Sequence, residues 1–311
     1  MSRFSHALSV VCILVAGGFA AGVSPALGAF PGQNGRIAFD SDRDGGDIDI
    51  WTMNPDGSDL VNLTANSDGF DVLSTWRPDG RKLLFMSDRA TATNPEGDFE
   101  LFAMNANGSN QTQITFNALD DEYPAWSPDG TRIVLVRDFD PIIGELDEDI
   151  LTMNADGSNE QNRTNTPGVD EFEPVWSPSG QQIAFVSDGD RGHDNEIFAM
   201  NPNGSNVRQL TVNARNDEFP DWSPDGRLIA FEAGRLGVPD IFTMRADGSN
   251  QTRLTFNKAA DGLPVWSPDG RQLAFTHNSE ILMMRADGSG RVNLTRNRAF
   301  DIAPDWQPLN G

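Results

Sequence analysis

Short apolar runs of about five residues alternate along the chain with clusters of Pro, Asp, Asn, Gly and Ser. Runs of this length bounded by turn residues predict β-strands, because helices need longer periodic segments. One set of runs reads Lys82–Met86, Arg132–Val136, Gln182–Val186, Leu228–Glu232 and Gln272–Thr276. Each follows a W-x-P-x-G turn that opens at Trp76, Trp126, Trp176, Trp222 or Trp266. A second set begins at Asp49, Glu100, Asp149, Glu196, Asp240 and Glu280, and each of these runs into an Asp-Gly-Ser or Asn-Gly-Ser turn. Asp-Gly or Asn-Gly between two apolar runs is a strong hairpin signal, since Gly accepts the positive φ that a tight turn requires. Most units then close on Leu-Thr or Ile-Thr, as at Leu63-Thr64, Ile114-Thr115 and Leu254-Thr255; one carries Arg163-Thr164 instead.

The pattern is therefore a four-strand unit: strand A ending on Trp, hairpin, strand B, a loop of variable length, strand C, hairpin, strand D. Trp306 continues the Trp ladder. A repeat of about 46 residues with four strands is the size of a propeller blade. Pro124, Pro174, Pro220, Pro264 and Pro304 stand two before their Trp and mark the start of strand A as an edge facing an open channel. The first unit begins at strand B, at Arg36-Ile37-Ala38-Phe39, and the chain ends on a strand A at Trp306. The fold expected is all-β: a six-bladed β-propeller of four-stranded antiparallel blades, its ring closed by a C-terminal strand A that completes the N-terminal blade. The six Trp are expected to be structural.

The first 29 residues differ in kind. Arg3 precedes an apolar stretch from Ala7 to Val23, and small residues follow at Ala26, Gly28 and Ala29. This is the layout of a secretory signal peptide, with cleavage after Gly28 or Ala29. The expected division is 1–29 signal and 30–311 propeller, in an exported protein of the periplasm, cell envelope or extracellular space. Cys12, the single cysteine, falls inside the leader. That excludes a disulfide framework or a cysteine-based zinc site. The whole chain carries 23 Lys+Arg against 46 Asp+Glu, a net charge of −23. Removing Arg3 with the leader gives −24. Such a balance argues against nucleic acid and anionic lipid as partners. No membrane insertion is expected after cleavage, and a monomer is expected.

The motifs Ile37-Ala38-Phe39, Ser41-Asp42-Arg43, Ile50 to Asn54, Asp56-Gly57-Ser58, Leu63-Thr64 and Trp126-Ser-Pro-Asp-Gly130 resemble TolB-family propeller repeats, relatives of WD-repeat blades. The resemblance covers residues 36–306 and implies the fold without fixing a function. TolB itself carries a further N-terminal α/β domain; here the leader runs into the first blade within a few residues, so that domain is expected to be lacking. Similar propellers also precede the hydrolase domain of prolyl-oligopeptidase-type peptidases, but no G-x-S-x-G nucleophile elbow occurs.

Two acids recur in each unit. Asp71, Asp121, Glu171, Asp217, Asp261 and Asp301 stand five before the Trp, and Asp49, Glu100, Asp149, Glu196, Asp240 and Glu280 open strand C. The topology puts both sets on the face of the B–C loops and D–A crossovers, with the first set expected to ring the channel mouth. Such carboxylates either satisfy backbone N–H groups and pair with Arg, or bind a cation or a basic partner. Asp40, Asp42 and Asp44 resemble the start of a calcium loop, a candidate Ca²⁺ site; the closing Glu of an EF-hand is replaced by Trp51. No other cofactor is expected. His193 and His277, in B–C loops of different units, cannot make a three-histidine metal site. The leading expectation is a non-catalytic scaffold that engages a protein or peptide, of basic character, through this acidic face. The alternative is a secreted metal-dependent hydrolase or lyase with its site at the channel mouth.

Overall fold

The computed structural model describes residues 29–95, 97–139, 148–189, 194–235 and 238–309. Residues 1–28, on which the expected signal peptide falls, His193 and most of the longest B–C loop lie outside these residues. Six antiparallel four-stranded sheets form the blades of a propeller. Blade 1 contains β1 (Gln33–Ser41), β2 (Asp49–Met53), β3 (Val61–Asn62) and, as its innermost strand, the last of the chain, β24 (Asp301–Leu309). Blade 2 is β4 (Asp71–Trp76), β5 (Lys82–Ser87), β6 (Glu100–Asn105) and β7 (Thr112–Gln113). Blades 3 to 6 repeat that order, with innermost strands β8 (Asp121–Trp126), β12 (Glu171–Trp176), β16 (Asn216–Trp222) and β20 (Asp261–Trp266). Each innermost strand touches the next, which closes the ring around a central channel. The closure joins β24 to β1 from Gln33↔Leu309 to Ser41↔Asp301.

Apolar residues from the facing sheets of successive blades form the core. Ala38, Ile50 and Leu63 of blade 1 meet Trp76, Leu83, Phe85 and Phe102 of blade 2 in one such slab. Ile37, Phe39 and Trp306 of blade 1 meet Val265, Ala274 and Ile281 of blade 6 in another. All six ladder Trp are buried, with at most 3% of their surface exposed. The C–D turn glycines tighten the same seams. Gly57, at φ 82°, lies so close to the next blade that a Cβ would sit 2.5 Å from the Leu294 carbonyl oxygen, and Gly248 makes the same approach to Leu210.

Two details depart from the sequence expectation. Strand A begins at the acid five before the Trp, so the proline stands inside the strand. It is tolerated there because the residue before it forms a bulge. Leu73, Tyr123, Glu173, Phe219, Leu263 and Ala303 all adopt φ between 50° and 58°, and the strand pairing shifts register at the same place in every blade. The D strands are only two residues long and stop before Leu-Thr. The threonine hydroxyl is used as a clamp: Thr64 Oγ1 accepts the Ile50 N–H at 3.0 Å and donates to Asp49 at 2.8 Å.

Deleting residues 299–311 removes the innermost strand of blade 1, and the truncated chain should lose cooperative denaturant unfolding. Trp126→Ala should destabilise the fold by roughly 3–5 kcal/mol. An unchanged melting curve for either variant would contradict the closure or the structural role of the ladder.

Candidate functional site

The channel has two ends. The strand A starts, the B–C loops and the D–A crossovers lie at one; the ladder Trp and the A–B turns lie at the other. The six acids five before the Trp all open or nearly open strand A at the first end, and each is at most 5% exposed. Four hold a cationic or ionisable partner from the end of strand B of the same blade or from the two residues beyond it. Asp71 pairs with Arg89 at 2.6 Å, Asp121 with Arg137 at 2.6 Å and Asp301 with Arg43 at 2.7 Å. Asp261 meets His277 Nδ1 at 2.5 Å, so His277 stands where other blades use Arg. Most also accept from the side chain four residues earlier, such as Asn117 to Asp121 at 2.8 Å and Asn257 to Asp261 at 2.6 Å, which closes the crossover loop. Glu171 and Asp217 lack such an ion pair among the described residues, and burial pushes their carboxyls up to about 8 and about 7. The strand C acids are similarly engaged: Asp149 accepts from Asn162 and Thr164, and Glu100 accepts the Asn117 N–H.

The candidate calcium residues point to separate partners. Asp40 Oδ2 accepts the Leu73 N–H at 2.9 Å inside the channel. Asp42 accepts the Phe300 N–H at 2.7 Å, and Asp44 accepts from Asn62 at 2.9 Å. Among the described residues no group of three or more His, Cys, Asp or Glu is arranged to hold a metal ion.

Other acids converge instead. Glu122 follows Asp121 in β8. Asp138 ends β9 (Arg132–Asp138) and stands directly opposite Glu148, which opens β10 (Glu148–Asn154). Asp170 of the following crossover accepts the Glu148 N–H at 3.4 Å, and Asp188 accepts the Asp170 N–H at 3.0 Å. Burial first, then the charges of Asp170, Asp138, Asp188 and Asp120, push Glu148 up to about 8. Glu122 is raised well above its ordinary range by burial and by Asp120, Glu148 and Asp138. Deeper in the channel, Glu173 accepts the Phe219 N–H at 2.6 Å, Glu232 accepts the Leu263 N–H at 3.0 Å, and Glu218 accepts from Asn195 at 2.5 Å. Tyr123, the chain's single tyrosine, is buried beside them. The arrangement is a wall of carboxylates on blades 3 to 5 running from the loop face into the channel. It can attract a cationic group or hold protons near neutral pH.

Sequence reading passed over this wall because it looked for acids that recur. Glu122, Glu173, Glu218 and Glu232 are departures from the repeat. The visible signal was the density of acids in Asp120-Asp-Glu122, Glu171-Phe-Glu173 and Asp217-Glu218.

Fold and channel together define a six-bladed β-propeller with one acid-lined end. The model of the TolB beta propeller domain matches residues 20–143 and 164–311, and the chain belongs to that family. Among solved structures, TolB from Acinetobacter baumannii is 21% identical with a TM-score of 0.70, over 88% of this chain and 67% of that one. Hydrazine synthase from Kuenenia stuttgartiensis is 14% identical with a TM-score of 0.73, over 91% of this chain and 48% of that one. An oligogalacturonate lyase from Vibrio parahaemolyticus is 12% identical with a TM-score of 0.59, over 88% of this chain and 79% of that one. At these identities the likeness is one of fold. No curated protein matches the chain in sequence.

The Glu148 carboxyl is raised from about 4.5 to about 8 in the folded chain. Its favourable contribution to folding is therefore complete below its unfolded pKa and is lost as pH rises through about 8. Glu148→Gln should raise the melting temperature at pH 8.5 and leave it nearly unchanged at pH 4.5. Even one pKa unit of the shift corresponds to about 1.4 kcal/mol. Equal melting of the two proteins at pH 8.5 would contradict the crowding of charge at this site.

Proposed function

We propose that the chain is an exported, non-catalytic binding scaffold whose acid-lined channel end receives a basic segment of a protein or peptide. The observation that carries this reading is the convergence of Glu122, Asp138 and Glu148 with Asp120, Asp170 and Asp188. The neighbouring charges acting most strongly on Glu148 are all carboxylates. A Lys or Arg side chain entering there relieves their repulsion and gains charge-assisted hydrogen bonds. The acids five before the Trp contribute differently, since most are already engaged with Arg, His or Asn. Rigid blades carrying long, variable B–C loops around that end give a partner a fixed platform with adaptable contacts. Export follows from the leader pattern, and membership of the TolB propeller family agrees with it.

The raised carboxyls also favour a second reading. Groups titrating near neutrality can transfer protons, and one fold neighbour is an oligogalacturonate lyase. Turnover of a pectic oligomer that disappears in Glu148→Gln would replace binding by catalysis.

Fluorescence anisotropy with a labelled Arg/Lys-rich peptide tests the scaffold. Binding at low salt should weaken at least tenfold in the Glu122→Gln, Glu148→Gln double variant and fall as salt rises. Asp56→Asn, on the opposite face, should leave it unchanged; Asn107 and Asn203 already serve in that turn position in other blades. Binding indifferent to the double substitution would overturn the assignment.

A further inference from the structure

The other end of the channel holds a second set of buried charges. The residue just before the ladder Trp is Thr75, Ala125, Val175 or Val265 in four blades, but Asp221 in blade 5 and Asp305 in blade 1. Asp221 has no exposed surface and Asp305 is 6% exposed. Each carboxylate accepts the backbone N–H of the ladder Trp of the next blade: Asp221 from Trp266 at 2.6 Å and Asp305 from Trp76 at 2.6 Å. Asp305 also accepts the Trp306 N–H at 2.9 Å. Among the described residues no Arg, Lys or His forms an ion pair with either. Burial raises both carboxyls, Asp305 to about 8, and the charge of Asp305 raises Asp221 further. Two neighbouring carboxylates shut away from water call for a cation.

The remaining oxygen of Asp221 meets the backbone nitrogen of Ala29, whose N–H it accepts at 3.1 Å in a fully buried bond. Ala29 and Phe30 are each 7% exposed. Ala29 packs beside Trp266 and Leu273. Phe30 and Pro31 line a cavity of about 330 Å³ among Pro78, Pro128 and Pro178 of the A–B turns. Gly32 then donates its N–H to the Pro268 carbonyl at 3.1 Å and leads the chain into β1. Residues 29–31 thus lie at the A–B turn end of the channel. In the uncleaved chain the Ala29 nitrogen is an uncharged amide. The residues before it, Ala26-Leu27-Gly28, have the small-x-small pattern of a leader cleavage site.

We propose that the chain is processed between Gly28 and Ala29, and that the α-ammonium group so formed stays in the channel as the buried counter-ion of Asp221. In this hydrolysis, catalysed by a signal peptidase, the Gly28–Ala29 C–N bond breaks. Water supplies the new oxygen of the Gly28 carboxylate, and the Ala29 nitrogen takes up protons to become the ammonium. The proposal selects one of the two cleavage positions the leader allows, and it rests on the export reading above. Its structural consequence is a mature N-terminus anchored at the A–B end of the channel, away from the acidic end.

The test begins with export of the full chain from a bacterial host and the intact mass of the product. The expected first residue is Ala29. An exported protein beginning at Phe30, or keeping its leader, overturns the proposal; retention of the chain in the cytoplasm counts against the export reading and removes the basis of this one. A second arm places one extra Ser between Gly28 and Ala29, so that the mature ammonium moves off Asp221. The unextended protein should melt several degrees higher than the extended one. Its α-amine should react at least tenfold more slowly with an amine-selective reagent at pH 7. Asp221→Asn in the unextended chain should raise that reactivity towards the extended value. If Asp221→Asn does not fold, the Ser insertion still decides the matter: equal melting and equal labelling rates overturn the buried ion pair.

Discussion

The fold turns on the unpaired edge of six innermost strands. Strand A bonds to strand B on one side only, and its other edge faces the channel although nearly all its residues are buried. A buried backbone N–H without an acceptor costs free energy comparable to a lost hydrogen bond. The chain answers with a left-handed residue in each strand A, and in five of the six blades its N–H reaches an acceptor in the preceding blade. Leu73 reaches Asp40, Leu263 reaches Glu232, Ala303 reaches Thr276 and Tyr123 reaches the sulfur of Met86. In blade 4 the strand B position is Val186, which has no acceptor to offer; Glu173 supplies the carboxylate to Phe219 instead. A left-handed non-glycine residue costs roughly 1–2 kcal/mol, and leaving a buried donor unsatisfied costs a similar amount, about 1–3 kcal/mol. The bulge is sustained because it ties one blade to the next.

That constraint explains why acids enter the interior of the ring, and why they fall into two kinds. Asp71, Asp121, Asp261 and Asp301 are matched by Arg or His from the same blade and by the crossover loop, so their charge is spent locally. Glu122 and Glu148 have mainly other carboxylates as their charged neighbours. Where opposite charge is built in, the acid is part of the scaffold. Where like charges are crowded, the scaffold stores repulsion that a cation from outside can relieve. The large negative charge of the chain is therefore a sum of unlike parts, and its total says little about where a partner binds.

The Trp ladder, the Pro-Asp-Gly and Asn-Gly turns and the mismatched chain ends made the six blades and their closure legible in the sequence, because each is a local signal repeated in register. The bulge was not legible. Its left-handed position is filled by Leu, Tyr, Glu, Phe, Leu and Ala, none of which announces positive φ, and its partner lies in another blade. The proline next to it pointed to an edge strand and so to the channel, but it marked the middle of strand A, not the start. His277 read as a loop residue because the Arg it replaces had not been recognised as a strand-end partner of Asp261. The acidic wall was hidden for a different reason. A repeat makes recurrence conspicuous, yet recurrence across duplicated units records what every blade needs in order to fold.

Departures from the repeat carry the individual character of the ring, and they separate by end. At the loop end, Glu122, Glu173, Glu218 and Glu232 break the pattern of blades 3 to 5 and concentrate charge on one side of the channel. At the turn end, Asp221 and Asp305 break it in blades 5 and 1, and Asp221 meets Ala29. The two groups are held towards opposite ends of the ring, and β16 carries a member of each, Glu218 near its start and Asp221 near its end. One end meets the first residues of the folded chain itself, and the other is left facing outward. A ring that is nearly six-fold in its backbone thereby becomes directional in its chemistry.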